Sequence, residues 1–373
     1  LKNVTYIISD INKALAFEWI ATYMDSSKIN LKFVLLNPSQ DSDLEKFLRN
    51  NNFLVKSILY RGKRDIPFAM MRIIIFLIKY KSDVVHTHLF NASFMGLFAA
   101  KLCAVKKRVY TRHHSTFHHQ YFPKAVKYDR FCNFLATDII AITEGVKYLL
   151  IHQEHVLEKK ITVIHHGFKL NLFEKGSSIE SIQQLKSKYN IDSHYPVVGV
   201  ISRYTEWKGV QYIIPAFKSL LSIYPNAKLI LANADGDYKL QIQELLRELA
   251  PENYIEIQFE KNIFDLYHLF DVFVHVPIDN HSEAFGQVYV ESLAAGVPSV
   301  FTLSGIANDF VKHKQNALVV NYKSSPEIFD AIKQVTQTVG LKEKLIENGK
   351  RDVRERFTLT EMISKLEKMY LNK

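Results

Sequence analysis

The chain has 373 residues, 47% hydrophobic and 23% charged, the composition of a soluble globular protein with room for two domains of ordinary size. Its two cysteines, Cys103 and Cys132, exclude a disulfide framework, and no apolar run is long enough to span a membrane, so a reducing, cytoplasmic setting is expected. The formal charge of +10 is uneven: residues 1–175 hold 26 Lys and Arg against 14 Asp and Glu, a net of +12, whereas residues 176–373 hold 22 against 24, a net of −2.

Short β-branched runs alternate with longer amphipathic segments, the signature of parallel α/β layers. In the first half, strands are expected near 3–8, 32–36, 54–59, 83–87, 108–111, 138–142 and 161–164, with helices such as 67–80 and 91–103 between them. The segment at 67–80 follows the basic run Arg61-Gly62-Lys63-Arg64. Its apolar residues are expected in the core, packed on the sheet. Its flanking cations are available to an anionic membrane, where each contributes about 1 kcal/mol near the surface. Gly176-Ser177-Ser178 and Tyr195-Pro196 punctuate the chain and put the break between halves near 172–195. In the second half, strands are expected near 196–202, 228–232, 254–258, 272–276, 298–301 and 317–320.

Two absences narrow the chemistry. The chain has 13 glycines, and no two are separated by a single residue, so the Gly-x-Gly fingerprint of nicotinamide and flavin folds is missing. Gly62-Lys63 and Gly349-Lys350 are each followed by Arg, which removes a phosphate loop of the Walker type.

The segment His281-Ser282-Glu283-Ala284-Phe285-Gly286-Gln287-Val288-Tyr289-Val290-Glu291 follows the strand at 272–276. A strand, a loop and a helix in that order put the loop at the carboxyl end of a parallel sheet, where such folds bind ligands. Gly286 allows a ligand close to the backbone, and free amides at a helix start favour phosphate. Glu283 and Glu291 are eight residues apart, roughly 12 Å if that stretch is helical. Carboxylates accept two hydroxyl donors each, which suits a sugar and a ribose diol; taken alone, the pair also suits a solvated helix face. Upstream, the run Val197–Ser202 is followed by Arg203, and Trp207-Lys208-Gly209 is read as opening a helix. Two cations there can neutralise a diphosphate leaving group, or can be plain surface charges.

The order Ser202-Arg203, Lys208-Gly209, Asp271-Val272-Phe273-Val274, Ser282-Glu283-Ala284-Phe285-Gly286 and Glu291-Ser292-Leu293-Ala294-Ala295-Gly296-Val297-Pro298 resembles the family 4 glycosyltransferases. The likeness reaches back through Asp83-Val84-Val85-His86-Thr87-His88, Thr137–Thr143 and Ile164-His165-His166-Gly167-Phe168, and covers most of 80–320. It implies an α/β fold of the GT-B type, with two Rossmann-like domains facing each other across a cleft. The domains are an acceptor-side domain at 1–172 and a nucleotide-sugar domain at 173–359, with a final helix near 360–373 packing back on the first. It implies transfer, with retention of configuration, from a nucleotide-diphosphate sugar, UDP-sugar before GDP-sugar. The acceptor implied is a glycan or lipid-linked hydroxyl, as in polysaccharide biosynthesis. By the same resemblance Glu283 contacts the donor sugar, and the amides of Phe285 and Gly286 approach sugar and phosphates. Glu291 holds the ribose, and Arg203 and Lys208 stabilise the departing diphosphate. His113 lines the sugar pocket, with His114 as the fallback. The donor is a co-substrate, and no cofactor is implied.

The chain departs from the family in places. Ser9-Asp10-Ile11-Asn12-Lys13 lacks the usual glycine pair, Lys169 stands where an Asp is usual, and Glu260 or Lys261 replaces a usual Gly. His86, His88, His113, His114, His118 and His119 form a histidine-rich set. Without a nearby Cys or a His-Glu-x-x-His run, no metal is expected, and these residues are read as polar lining of the cleft. Two rivals differ in class. A nucleotide-sugar epimerase of the same fold would turn over without an acceptor. A basic nucleic-acid-binding protein would retain RNA or DNA at low salt, although no nucleic-acid motif is present and no such partner is expected. The basic first half instead suggests an anionic membrane surface as a partner, with peripheral association.

Overall fold

The computed structural model describes residues 1–372. It divides into two units, Leu1–Phe168 with Leu359–Lys373, and Lys169–Thr358. The contiguous part of the first unit therefore ends at Phe168 rather than at 172.

The first unit holds strands β1 (Lys2–Ser9), β2 (Ile29–Asn37), β3 (Leu54–Leu59), β4 (Val84–His88), β5 (Lys107–Arg112), β6 (Asp138–Ala141) and β7 (Ile161–Val163). Their order is β3-β2-β1-β4-β5-β6-β7, and every pairing is parallel. Successive side chains on a strand point to opposite faces. Val4, Tyr6 and Ile8 accordingly enter one core with Leu31, Phe33 and Leu35, while Ile7 enters the other with Val34 and Leu36. Burial on both faces is why these strands read as continuous apolar runs rather than as alternating ones.

One helix departs from expectation. Ile66–Lys79 buries Ala69, Ile73, Phe76 and Leu77, but Phe68, Met71, Ile75 and Ile78 are 48–63% exposed. The helix is apolar around most of its circumference, and only one stripe can face the sheet. The expectation that its apolar residues all join the core is corrected.

The helix Leu359–Leu371 belongs to the first unit. Leu359, Met362, Ile363, Leu366 and Met369 pack with Phe17, Ile20 and Ala21. Tyr370 carries the polar contact: its hydroxyl meets Nδ1 of His86 at 2.6 Å and the hydroxyl of Tyr6. Nε2 of His86 reaches Thr111 Oγ1 at 2.7 Å. His86 is thus a core residue tied to the last helix, and burial holds its ring down to about 3, so it is neutral at neutral pH.

The second unit holds β8 (Val197–Ile201), β9 (Lys228–Ala232), β10 (Tyr254–Ile257), β11 (Val272–His275), β12 (Ser299–Phe301) and β13 (Leu318–Val319). The order is β10-β9-β8-β11-β12-β13, again parallel. The supposed break at 172–195 contains helices Leu170–Lys175 and Ile179–Lys188. Ser178 caps the second of these by accepting from Ser181 N, and Asp265 accepts from Ser177 N at 2.5 Å. Gly and Ser punctuation marks caps as readily as linkers.

In each sheet the strand order reverses once, at β1/β4 and at β8/β11. Open α/β sheets bind ligands outside the carboxyl ends of the strands at such a reversal. In the second unit that point is flanked by Ser202-Arg203 after β8 and by His275 at the end of β11.

Replacing Tyr370 with Phe leaves His86 Nδ1 and the Tyr6 hydroxyl each short of a buried partner. Tyr370→Phe is expected to destabilise the first unit by about 1–3 kcal/mol, read as a lower calorimetric melting temperature; an unchanged transition would show that the contact does not hold the last helix.

Candidate active site

Three loops meet at the carboxyl edge of the second sheet. After β8, Ser202 is buried, and Tyr204 turns inward to donate to Glu256 Oε1 at 3.0 Å. One turn of 3-10 helix follows at Glu206–Lys208, and then Gly209 at φ +75° starts the helix Val210–Leu221. Lys208 therefore sits before the helix, not in it. A Cβ on Gly209 would lie 1.9 Å from the Val276 carbonyl oxygen, so only glycine lets this loop pack against the chain leaving β11. Ile278 N donates to Trp207 O at 3.1 Å and closes the same seam.

The loop after β11 carries Glu283, 8% exposed. Its amide donates to Ser304 Oγ at 2.9 Å, and Phe285 O accepts from Ile306 N at 2.9 Å, so the loop after β12 braces both. Lys208 Nζ reaches Glu283 Oε1 at 2.5 Å, and His275 Nε2 reaches the same oxygen at 3.0 Å. Burial alone would raise this carboxyl, but the Lys208 charge and the His275 hydrogen bond outweigh it and hold it at about 2. Burial keeps His275 below the ordinary histidine range despite Glu283, so a neutral ring donates from Nε2, and Nδ1 is a buried nitrogen without a partner. Both donors use Oε1. Among the described residues Oε2 has no protein partner, and it is available to a hydroxyl.

Gly286, at φ +81°, begins the helix Gln287–Ala295, with no side chain capping its first amides. A Cβ there would meet the Tyr289 ring at 2.7 Å. Phe285 is buried beside Phe357, ring centroids 6.1 Å apart, and anchors the loop. Glu291 lies on this helix and is half-buried. Tyr267 donates to its Oε2 at 2.7 Å. Burial nevertheless pushes the Glu291 carboxyl up to about 7. Glu283 lies outside the helix, so a helical spacing does not apply between the two carboxylates.

Lys208 and Glu283 are thus brought into contact, while Glu291 stands apart with Tyr267. Arg203 is exposed, and no side-chain partner is found for it among the described residues. Glu260 is held within the unit by Lys188 at 2.7 Å, by the Tyr189 hydroxyl and by the amide of Asn262 at 3.0 Å.

His113 is in the first unit, directly after β5. Its Nε2 lies 3.0 Å from His88 Nδ1, and its ring stacks on His166 at 5.7 Å. Burial holds it well below the ordinary histidine range, with His166 adding to the effect. His114 turns instead toward Asp129, with Nε2 3.3 Å from Oδ1. His86 and His88 are 1% and 4% exposed, so reading them as lining is corrected: they are core.

Sequence reasoning missed His275, Ser304 and Tyr267. A polar residue closing the apolar run Val272-Phe273-Val274 was the available signal for His275. Nothing in the sequence connects Tyr267 to Glu291.

Residues 20–172 match the family model for Glycosyltransferase Family 4, and residues 181–352 match that for Glycosyl transferases group 1. The chain is 27% identical over 321 residues to the capsular polysaccharide biosynthesis glycosyltransferase CapM of Staphylococcus aureus, covering 83% of each chain. It is 28% identical over 266 residues to the alpha-monoglucosyldiacylglycerol synthase of Acholeplasma laidlawii, covering 65% of this chain and 64% of that one. Its fold is similar to that of Anabaena Alr3699/HepE in complex with UDP and glucose, with a TM-score of 0.83 at 20% identity over 98% of each chain. With two parallel Rossmann-like sheets of the GT-B fold and a family match across both units, the chain belongs to the family 4 glycosyltransferases.

Proposed function

We propose that this glycosyltransferase moves a sugar from a nucleotide-diphosphate donor, UDP-sugar first and GDP-sugar second, to a hydroxyl of a glycan or lipid-linked acceptor, with retention. The observation that carries this reading is the Glu283 carboxylate. It is kept ionised by Lys208 and His275 while Oε2 stays open at the carboxyl edge of the second sheet. An open acceptor oxygen there suits a sugar hydroxyl. The uncapped amides after Gly286 suit the diphosphate, and the exposed Arg203 can grip two of its oxygens. As the glycosidic bond breaks, negative charge grows on the leaving diphosphate, and Arg203 and Lys208 gain most at that moment. In a retaining reaction of this kind the leaving phosphate takes the acceptor proton from the same face, so no protein nucleophile is required. His113, a neutral ring, is assigned to the reacting sugar. The diphosphate is assigned to these cations and amides. Turnover of a nucleotide sugar without any acceptor would favour the epimerase reading instead.

The acceptor side of the proposal rests on the net +12 of residues 1–175 and on the exposed Phe68, Met71, Ile75 and Ile78, with Arg72 over the Phe68 ring at 4.1 Å. Apolar side chains rimmed by cations suit an anionic membrane surface, which would bring the enzyme to a lipid-linked acceptor. Among the described residues no helix is long and apolar enough to cross a membrane.

Glu291 is proposed to accept both ribose hydroxyls, which only the ionised carboxyl can do. With that carboxyl at about 7, affinity for a UDP-sugar is expected to fall as pH drops below 7, by up to about tenfold per unit, because binding must then displace a proton. Glu291→Gln should bind more weakly and lose this pH dependence; calorimetric titration between pH 6 and 8 checks it, and a pH-independent wild type would remove the ribose assignment.

Vesicle sedimentation is expected to show binding to anionic but not neutral lipid, weakening as salt rises past the point where the Debye length is about 8 Å. Charge reversal at Lys63 and Arg64 should reduce it. Equal binding to neutral vesicles at low salt would refute the surface attraction.

A further inference from the structure

The end of β5 carries a second polar group that the transfer reaction does not use. Arg112 is 0% exposed. Glu154 takes up its charge, with Nη2 to Oε1 at 2.6 Å and Nη1 to Oε2 at 3.4 Å. Asn133 at 2.6 Å and His119 at 3.1 Å complete the shell of Glu154. Arg112 Nε also donates to the His114 carbonyl at 3.1 Å. The buried cation is therefore matched by one carboxylate.

Asp129, 1% exposed, is the second carboxylate. Its Oδ2 lies 2.7 Å from His118 Nδ1, and its Oδ1 lies 3.3 Å from His114 Nε2 and 3.3 Å from Arg112 Nη1. Neither 3.3 Å approach completes a hydrogen bond: Asp129 Oδ1 and both ring nitrogens of His114 are buried without a partner. Buried polar atoms of this kind call for a partner.

A metal ion bound among them would supply the partner that Asp129 Oδ1 and a His114 nitrogen lack. One ligand atom each from His114, His118 and Asp129 lie within 4.8 Å of one another. Ligand atoms around a tetrahedral zinc at about 2.0–2.1 Å sit roughly 3.3 Å apart; His114 Nε2 and Asp129 Oδ1 are at that separation, while His118 Nδ1, 2.7 Å from Asp129 Oδ2, has to draw back to ligate. The His114 and His118 side chains are 22% and 13% exposed, so the cluster lies close to the surface.

We propose that His114, His118 and Asp129 bind one zinc-class divalent ion, which fixes the segment following β5 that also carries His113. This departs from the expectation of no metal drawn from sequence spacing. Two imidazoles and one carboxylate suit zinc better than magnesium or calcium, which prefer oxygen shells. The ion belongs to the first unit and has no part in holding the donor diphosphate.

The full chain, stripped with chelator, is titrated with cobalt(II) as a coloured zinc substitute. The expected result is one equivalent bound per chain, with the visible absorption of a tetrahedral site bleached by added zinc. His114→Ala and His118→Ala should each weaken cobalt binding at least about 10–100-fold, while His152→Ala, at an exposed position, leaves it intact. Melting temperature and circular dichroism report whether each variant is folded. A folded wild type that binds no stoichiometric cobalt or zinc overturns the proposal, as does an undiminished tetrahedral spectrum in both folded ligand variants.

Discussion

The second unit is organised around one buried anion. Glu283 sits in a loop after β11 yet draws Lys208 from the loop after β8 and Ser304 from the loop after β12, with His275 at the end of β11 itself. An ion pair in such a place is weak evidence of stability, because removing both charges from water costs about as much as their attraction returns. Its effect is geometric. The pair fixes where three loops end, and it keeps a carboxylate ionised in a place where burial alone would neutralise it. Gly209 and Gly286, both at positive φ, are the backbone conditions for that convergence.

Charge is handled differently at the two carboxylates assigned to the donor. Glu283 has a lysine against it and is locked in the charged form. Glu291 has only the hydroxyl of Tyr267, a neutral donor, and titrates near neutrality. The first stays charged across the neutral range. On the proposed assignment the second would be set by its ligand, since hydroxyl donors favour the ionised carboxyl. A preorganised charge at the reacting sugar, with a more adaptable one for recognition, would then be a sensible division for a transferase.

The fold was legible because parallel strands covered on both faces are written largely as apolar runs, and every strand expected from them is found. Local punctuation was less legible. Gly176-Ser177-Ser178 reads equally as linker or helix cap, and Trp207-Lys208-Gly209 reads as a helix start although Gly209 at positive φ delays the helix by a residue. Candidate site residues were legible where they lie in a loop after a strand, as Arg203 and Glu283 do. Partners supplied by distant segments were not: Tyr267 reaches Glu291 and Tyr370 reaches His86 with nothing in spacing to announce it. The same limit hid Asp129 beside His114 and His118, which the packing of the helix Val126–Leu135 brings together.

The most direct test of the donor site compares calorimetric binding of UDP with that of the tightest-binding nucleotide sugar, in wild type, Glu283→Gln and Arg203→Ala. UDP carries more negative charge on its diphosphate than a UDP-sugar does. Arg203→Ala should therefore weaken UDP more than the sugar nucleotide. Glu283→Gln should spare UDP and remove the sugar's contribution, about 1.5–3 kcal/mol for a hydrogen bond to a charged group. Two substitutions that shift both ligands equally, or shift neither, would contradict a donor bound with its sugar at Glu283 and its diphosphate at Arg203.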